Sequence, residues 1–204
     1  MDTWVIKEEW DQMAKTKKIY RLKVTLRYSR PPIWRRLKVY DDVTLYELHQ
    51  ILQVAMGWEN SHLHMFRQGR TFFGEPDPEF GPDCIDETRT RLREVLLAPK
   101  DKLTYDYDFG DSWEHQVVLE AIEDPDLNDT YPMVVAGKRA CPPEDVGGVP
   151  GYDEFLDAMA DPNHPSHEEM RDWYGQPFDP HAFDLKAINL VFQPAGGKKR
   201  GSRT

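Results

Sequence analysis

Eleven consecutive residues, Tyr105-Asp106-Tyr107-Asp108-Phe109-Gly110-Asp111-Ser112-Trp113-Glu114-His115, hold three Asp, one Glu, one His and four aromatic side chains. Carboxylates and an imidazole at this density can do acid–base work or hold a cation, and the rings beside them can stack on a ligand. A second acidic stretch, Cys141-Pro142-Pro143-Glu144-Asp145-Val146-Gly147-Gly148-Val149-Pro150-Gly151, sets two carboxylates between stiff Pro and permissive Gly. The first candidate site therefore joins Asp106, Asp108, Asp111 and His115, with Trp113 beside them, to Glu144 and Asp145. Five of these, Asp106, Asp108, His115, Glu144 and Asp145, are candidate ligands for a divalent metal, since hard cations take carboxylate oxygens and mixed Asp/His sets suit Mn or Zn. The spacing matches neither an EF-hand loop nor a His-x-x-x-His pair, so the competing reading is a solvated acidic hairpin.

His62 and His64 form a second pair, two apart on an expected strand and so on one face. As metal ligands they need a carboxylate to complete a site; otherwise they stack on aromatics at a sheet surface. Arg30, Arg35, Arg36 and Lys38 make a basic patch. It can hold an anionic partner or neutralise the protein's own acidic hairpin. The second option is the expected one, which adds Arg35 and Arg36 to the candidate residues.

Two lookalikes carry no chemistry. Asp108-Phe109-Gly110 spells the kinase metal tripeptide, but the chain has no Gly-rich phosphate loop and no His-Arg-Asp loop. Gly147-Gly148 lies in no P-loop or Gly-x-Gly-x-x-Gly pattern. No Ser or Cys carries a nucleophile signature.

The elements that position these residues follow from periodicity. Up to Phe109 the acidic run alternates as a strand does, Gly110-Asp111 is a turn signal, and a second strand runs from Trp113 to about Ala121. A two- or four-residue loop pairs Asp106 with His115 and Asp108 with Trp113 in an antiparallel hairpin over 102–121, placing carboxylates and imidazole on one face. A three-residue loop breaks that pairing. Ile19 to Tyr28 alternates, Ser29-Arg30-Pro31-Pro32 breaks it, and Ile33 to Val39 resumes, which predicts another hairpin. Thr44 with Glu47 predicts a capping box, followed by an apolar stripe of Leu45, Leu48, Ile51, Leu52, Ala55 and Met56 and a terminating Gly57.

Next come strands at His62–Phe66 and Thr71–Phe73, a long surface loop over 74–90, a short element at Leu92–Leu97 and an acidic loop at Asp124–Asp129. Helices are expected around Tyr152–Met159, after a second capping box at Ser166 and Glu169, and after Asp179-Pro180. Strands first and helices last predict an α+β fold, a mainly antiparallel sheet with helices packed on it and C-terminal helices. The chain divides into an N-terminal arm or short helix over 1–18, a single domain over 19–193 and a disordered basic tail over 194–204.

Charge bounds the partners. The tail cations Lys198, Lys199, Arg200 and Arg203 bring the net charge from −14 to −10, so the body repels phosphate backbones and general nucleic-acid binding is disfavoured. The two cysteines and the lack of an apolar leader point to a reducing cytoplasm, and no apolar run approaches the ~18 residues that span a bilayer.

The chain resembles the plasmid pRiA4b ORF-3-like family. The resemblance runs from about Ile19 to Phe192 and rests on Pro32-Ile33-Trp34-Arg35-Arg36, on Leu45 through Leu48-His49 to Gly57-Trp58, and on His62-Leu63-His64-Met65-Phe66. Tyr107 through His115, Pro142 through Gly148, Gly151-Tyr152 and the segment from Phe178-Asp179-Pro180 to Ile188-Asn189 complete it. Where the family often carries a Cys, this chain has Val146, which removes a thiol ligand at that position. The resemblance implies a compact, roll-like α+β domain with helices on a sheet, similar to proteins encoded on plasmids and insertion elements. It implies no reaction, and the resolvase-like label of some members finds no Ser-nucleophile recombinase pattern here. The expectation is a cytoplasmic binding or accessory module with an acidic-aromatic recognition surface for a protein or small-molecule ligand. The alternative is a metal-dependent hydrolase or nuclease using the same carboxylates.

Overall fold

Alternation in β1 (Ile19–Leu26) puts Tyr20, Leu22, Val24 and Leu26 on one face, and all four are buried. β2 (Trp34–Tyr40) pairs with it antiparallel, with Leu22 opposite Leu37. In this computed structural model residues 17–76 and 84–193 are described. The arm expected over 1–18 lies almost entirely outside the described residues, as do the tail over 194–204 and part of the long loop.

Six more strands, β3 (His64–Gln68), β4 (Thr71–Gly74), β5 (Ile85–Asp86), β6 (Lys102–Tyr107), β7 (Trp113–Glu123) and β8 (Met133–Lys138), complete an eight-stranded sheet in the order β5-β4-β3-β6-β7-β1-β2-β8. Only the β4–β5 pair is parallel. The fold is α+β, as expected. Residues 74–90 are not wholly a surface loop. Gly74 ends β4, Ile85–Asp86 adds a short edge strand, and Glu87 turns inward to His64.

α1 (Leu45–Met56) forms as its caps dictate. Thr44 Oγ1 accepts from the Glu47 N–H at 3.1 Å, Glu47 accepts from the Thr44 N–H at 2.7 Å, and Gly57 closes the helix at φ 90°. Its stripe, Leu45 to Met56, packs into one cluster with the inner face of the sheet and with α2 (Leu92–Val95) and α3 (Gly148–Ala160).

The C-terminal helices start differently from expectation. α4 (His167–Tyr174) has no capping box, because Ser166 sits at φ −94°, ψ 6°, a geometry in which its hydroxyl makes no cap bond. α5 (Leu185–Val191) is capped by Asp184, which accepts from the Lys186 and Ala187 N–H groups. Asp179 instead accepts from the His181 N–H in a local turn, so that its carboxylate serves the loop and not a helix.

Candidate functional site

The acidic hairpin exists, but its register differs from expectation. The loop is five residues, Asp108 to Ser112, so Tyr107 pairs with Trp113, Tyr105 with His115 and Asp106 with Glu114. An odd loop slips the pairing by one, and slippage changes which residues face each other across the ladder. The register found buries Tyr105, Tyr107, Trp113 and His115 completely. Burial of a large apolar side chain is worth about 1.5–3 kcal/mol, more than an exposed carboxylate–imidazole pair could return, and the aromatic rings of Tyr105, Tyr107 and Trp113 set the register.

Asp106 is thereby lost to the site. It lies on the outer face beside Glu114 and Arg67, its pKa raised by burial and by the Glu114 charge. His115 is lost too. It is fully enclosed, with Trp58 edge-on at 5.2 Å, and burial lowers its pKa to about 4, so it is neutral at pH 7.

The two arginines stand elsewhere. Arg35 is buried and donates to the carbonyls of Ala55, Trp34 and Lys138 at 2.9–3.1 Å, with its guanidinium over the Phe183 ring at 4.7 Å. Arg36 makes a two-pronged pair with Glu120 at 2.6 and 2.9 Å on the outer sheet face. Neither neutralises the acidic loops. Arg35 points inward because it shares the inner face of the strand with Ile33 and Leu37, and its acceptors there are backbone carbonyls.

What the chain does bring together is the 108–112 turn, the 141–147 loop and a third segment after α1. Glu144 clasps all three. It accepts from the Tyr107 hydroxyl at 2.7 Å, the Glu59 N–H at 3.1 Å and the Ser61 hydroxyl at 3.1 Å. Asp111 accepts from the Gly147 N–H at 3.1 Å. At Gly148 a Cβ would come within 2.5 Å of the Asp111 carbonyl oxygen, so only glycine permits this approach. Donors of this kind offset the charges on Glu144 and Asp111.

The third segment is held from beneath by α1. Gln53 donates to the Tyr105 hydroxyl at 2.8 Å, and His49 Nδ1 lies 2.8 Å from the same oxygen. His49 Nε2 reaches Asn60 Oδ1 at 2.7 Å, and the Asn60 N–H returns to Gln53 Oε1 at 3.0 Å. Because Asn60 Oδ1 can only accept, His49 carries its proton on Nε2, and its Nδ1 accepts a hydrogen bond from the Tyr105 hydroxyl. Burial, with His64 adjacent, lowers the His49 pKa to about 4, consistent with that neutral tautomer. Its ring stacks on His64 at 3.4 Å, and His64 pairs with the buried Glu87 at 3.0 Å.

β3 begins at His64, so His62 stands just before the strand, its ring edge-on to Tyr107 at 5.8 Å. His62 turns to the acidic loops. Its Nε2 lies 3.1 Å from Asp145 Oδ1 and 3.8 Å from Asp108 Oδ2, and all three ligand atoms lie within 4.8 Å of one another. Asp108 is buried in its turn, its Oδ1 accepting from the Gly110 N–H at 2.9 Å. Of the five sequence-designated ligands, Asp108 and Asp145 thus come within one ion's reach, joined by His62 and not by His115.

Beside this cluster opens a cleft of about 620 Å³ between the 57–61 segment, the 140–145 loop and the end of α4. Trp58, Trp173, Tyr174 and Phe178 give it aromatic walls, and Glu59, Glu144 and Asp145 give it an acidic rim. Among the described residues no Lys, Arg or His lines it. Cys141 contributes a thiol that burial pushes up to about 12, so it offers no thiolate. Sequence reasoning missed Trp58, Glu59 and Trp173. Gly57 marks a helix end and Gly57-Trp58 belongs to the family resemblance, but neither signals a cleft, and nothing in the residue pattern singles out Trp173.

The comparisons agree with the architecture. Residues 18–187 match the family described as plasmid pRiA4b ORF-3-like protein. The uncharacterized protein y4hQ of Sinorhizobium fredii is 42% identical over 182 residues, which is 88% of this chain and 93% of that protein. The crystal structure of MM3350 from Methanosarcina mazei Go1, a protein of unknown function, matches with a TM-score of 0.77 at 36% identity, over 85% of this chain and 98% of that one. With a match over most of its length and relatives this similar, the chain belongs to the plasmid pRiA4b ORF-3-like family.

Proposed function

We propose that this protein is a binding module whose cleft receives an arginine or lysine side chain from a polypeptide partner. The observation that carries the reading is the lining itself: among the described residues, four aromatic residues, three carboxylate residues and no basic residue. An aromatic face attracts a guanidinium or ammonium group, worth about 0.5–2 kcal/mol. Carboxylates nearby add directed, charge-assisted bonds. Trp173, nearly half exposed, is free to make such a contact. A chain of net charge −10 steers basic partners toward it and repels acidic ones. A reducing cytoplasmic setting fits the free thiols of Cys84 and Cys141.

Fluorescence polarisation with labelled Arg-containing and Glu-containing peptides tests the reading. The Arg peptide should bind, with affinity falling as salt is raised, and the Glu peptide should not. Trp173→Ala should weaken binding by about 2- to 30-fold, the equivalent of one cation–π contact. Equal binding of both peptides, or binding unaffected by Trp173→Ala, contradicts it.

A further inference from the structure

We infer that His62, Asp108 and Asp145 form a binding site for one divalent transition cation of the zinc class. Zinc takes His nitrogen and Asp oxygen at about 2.0–2.2 Å, so tetrahedral ligand atoms stand roughly 3.4 Å apart. The His62–Asp145 and His62–Asp108 separations of 3.1 and 3.8 Å bracket that value. The remaining pair lies within 4.8 Å, and a small inward movement of the exposed Asp145 side chain closes it.

The imidazole sets this cluster apart from an ordinary group of surface acids. His62 Nε2 is buried and has no hydrogen-bond partner, although Asp145 Oδ1 is near, because the contact lacks hydrogen-bond direction. A buried ring nitrogen left in that state is unfavourable, and a cation bound between it and the two carboxylates supplies the missing partner. Asp108 is preset for the role. The Gly110 N–H holds its Oδ1, leaving Oδ2 turned toward His62, the kind of outer support that metal-binding carboxylates receive. Three protein ligands leave a fourth position open to water or to a ligand atom. The site also ties the 57–62 segment to both acidic loops at the edge of the cleft, so a bound ion would stiffen one wall of it. The inference does not rest on the peptide reading, because Asp145 is the only residue common to the two.

The test uses the whole protein and zinc alone. Isothermal titration should show one ion per chain, and zinc should raise the Tm. Cobalt(II) should bind with the visible absorption of a tetrahedral N/O site. His62→Gln and Asp145→Asn should each weaken zinc at least tenfold, as the loss of one ligand from three requires. Asp145 is exposed, so its variant should fold normally even if His62→Gln does not. Asp126→Asn, in a separate acidic loop, should leave binding unchanged. No zinc heat and no Tm rise, or zinc binding as tight in Asp145→Asn as in the wild type, overturns the inference.

Discussion

The Tyr107 hydroxyl donates to Glu144 Oε1 at 2.7 Å, and this bond joins the acidic hairpin to the acidic loop. The same hydroxyl accepts from the Ser61 N–H at 3.0 Å, so one buried phenol fastens three segments. Tyr107→Phe removes both bonds and leaves Glu144 only the Glu59 N–H and the Ser61 hydroxyl. The expected cost is about 1–3 kcal/mol in denaturant unfolding, with faster amide exchange over residues 141–147. A change below about 0.5 kcal/mol would show that the clasp does not hold the loops.

The close approach of the two loops predicts an ordering of glycine variants. Gly57→Ala meets open space, and only its φ of 90° opposes the change. Gly148→Ala meets the Asp111 carbonyl oxygen at 2.5 Å as well as a φ of 68°. Gly57→Ala should cost about 1 kcal/mol and Gly148→Ala distinctly more, read as thermal or denaturant midpoints. The reverse order would contradict the packing of the 141–147 loop on the turn.

Much of the frame that carries this site is legible in the sequence. The alternation of Tyr20, Leu22, Val24 and Leu26 is a two-residue period with one apolar face, and one register satisfies it. The Thr44–Glu47 box and Gly57 bound α1 because both ends use local side-chain or backbone chemistry. The hairpin register is not legible in the same way. Asp108 and Ser112 both take positive φ without being glycine, so nothing in the residue types marks a five-residue loop. Nor does periodicity reveal His49 and Gln53, polar residues that turn inward from α1 to bond Tyr105 and Asn60. Asp179-Pro180 reads as a helix start, and only tertiary packing decides that Asp184 caps the helix instead. The partners of Arg35 are backbone carbonyls, which residue types do not disclose.

Core burial gives a direct check of α1. Leu48 is fully buried on the apolar stripe. Leu48→Ala should cost roughly 2–5 kcal/mol, measured by chemical denaturation at constant m-value. A midpoint shift too small to resolve would remove α1 from the core.

Two neutral histidines predict a pH dependence. His49 and His115 have pKa values lowered to about 4, against roughly 6.5 in an unfolded chain. Between those values the unfolded state binds more protons than the folded state, so stability falls as pH falls from about 6.5 toward 4 and is fully present above that window. Each residue should account for roughly 2–3 kcal/mol of the loss between pH 7 and 4.5, and His49→Gln should remove its share of the slope. A wild-type midpoint that stays flat over that range would contradict the neutral, buried state of both rings.

The central claim is that the acidic-aromatic cleft is the recognition surface, and residue-resolved NMR titration with an Arg-containing peptide tests it most directly. The account predicts saturable shifts confined to Trp58, Glu59, Ser61, Asp145, Trp173 and Tyr174, with the outer sheet face around Arg36 and Glu120 unmoved. Shifts centred on that outer face, or none at peptide concentrations near 1 mM, about −4.1 kcal/mol of binding free energy, would contradict it.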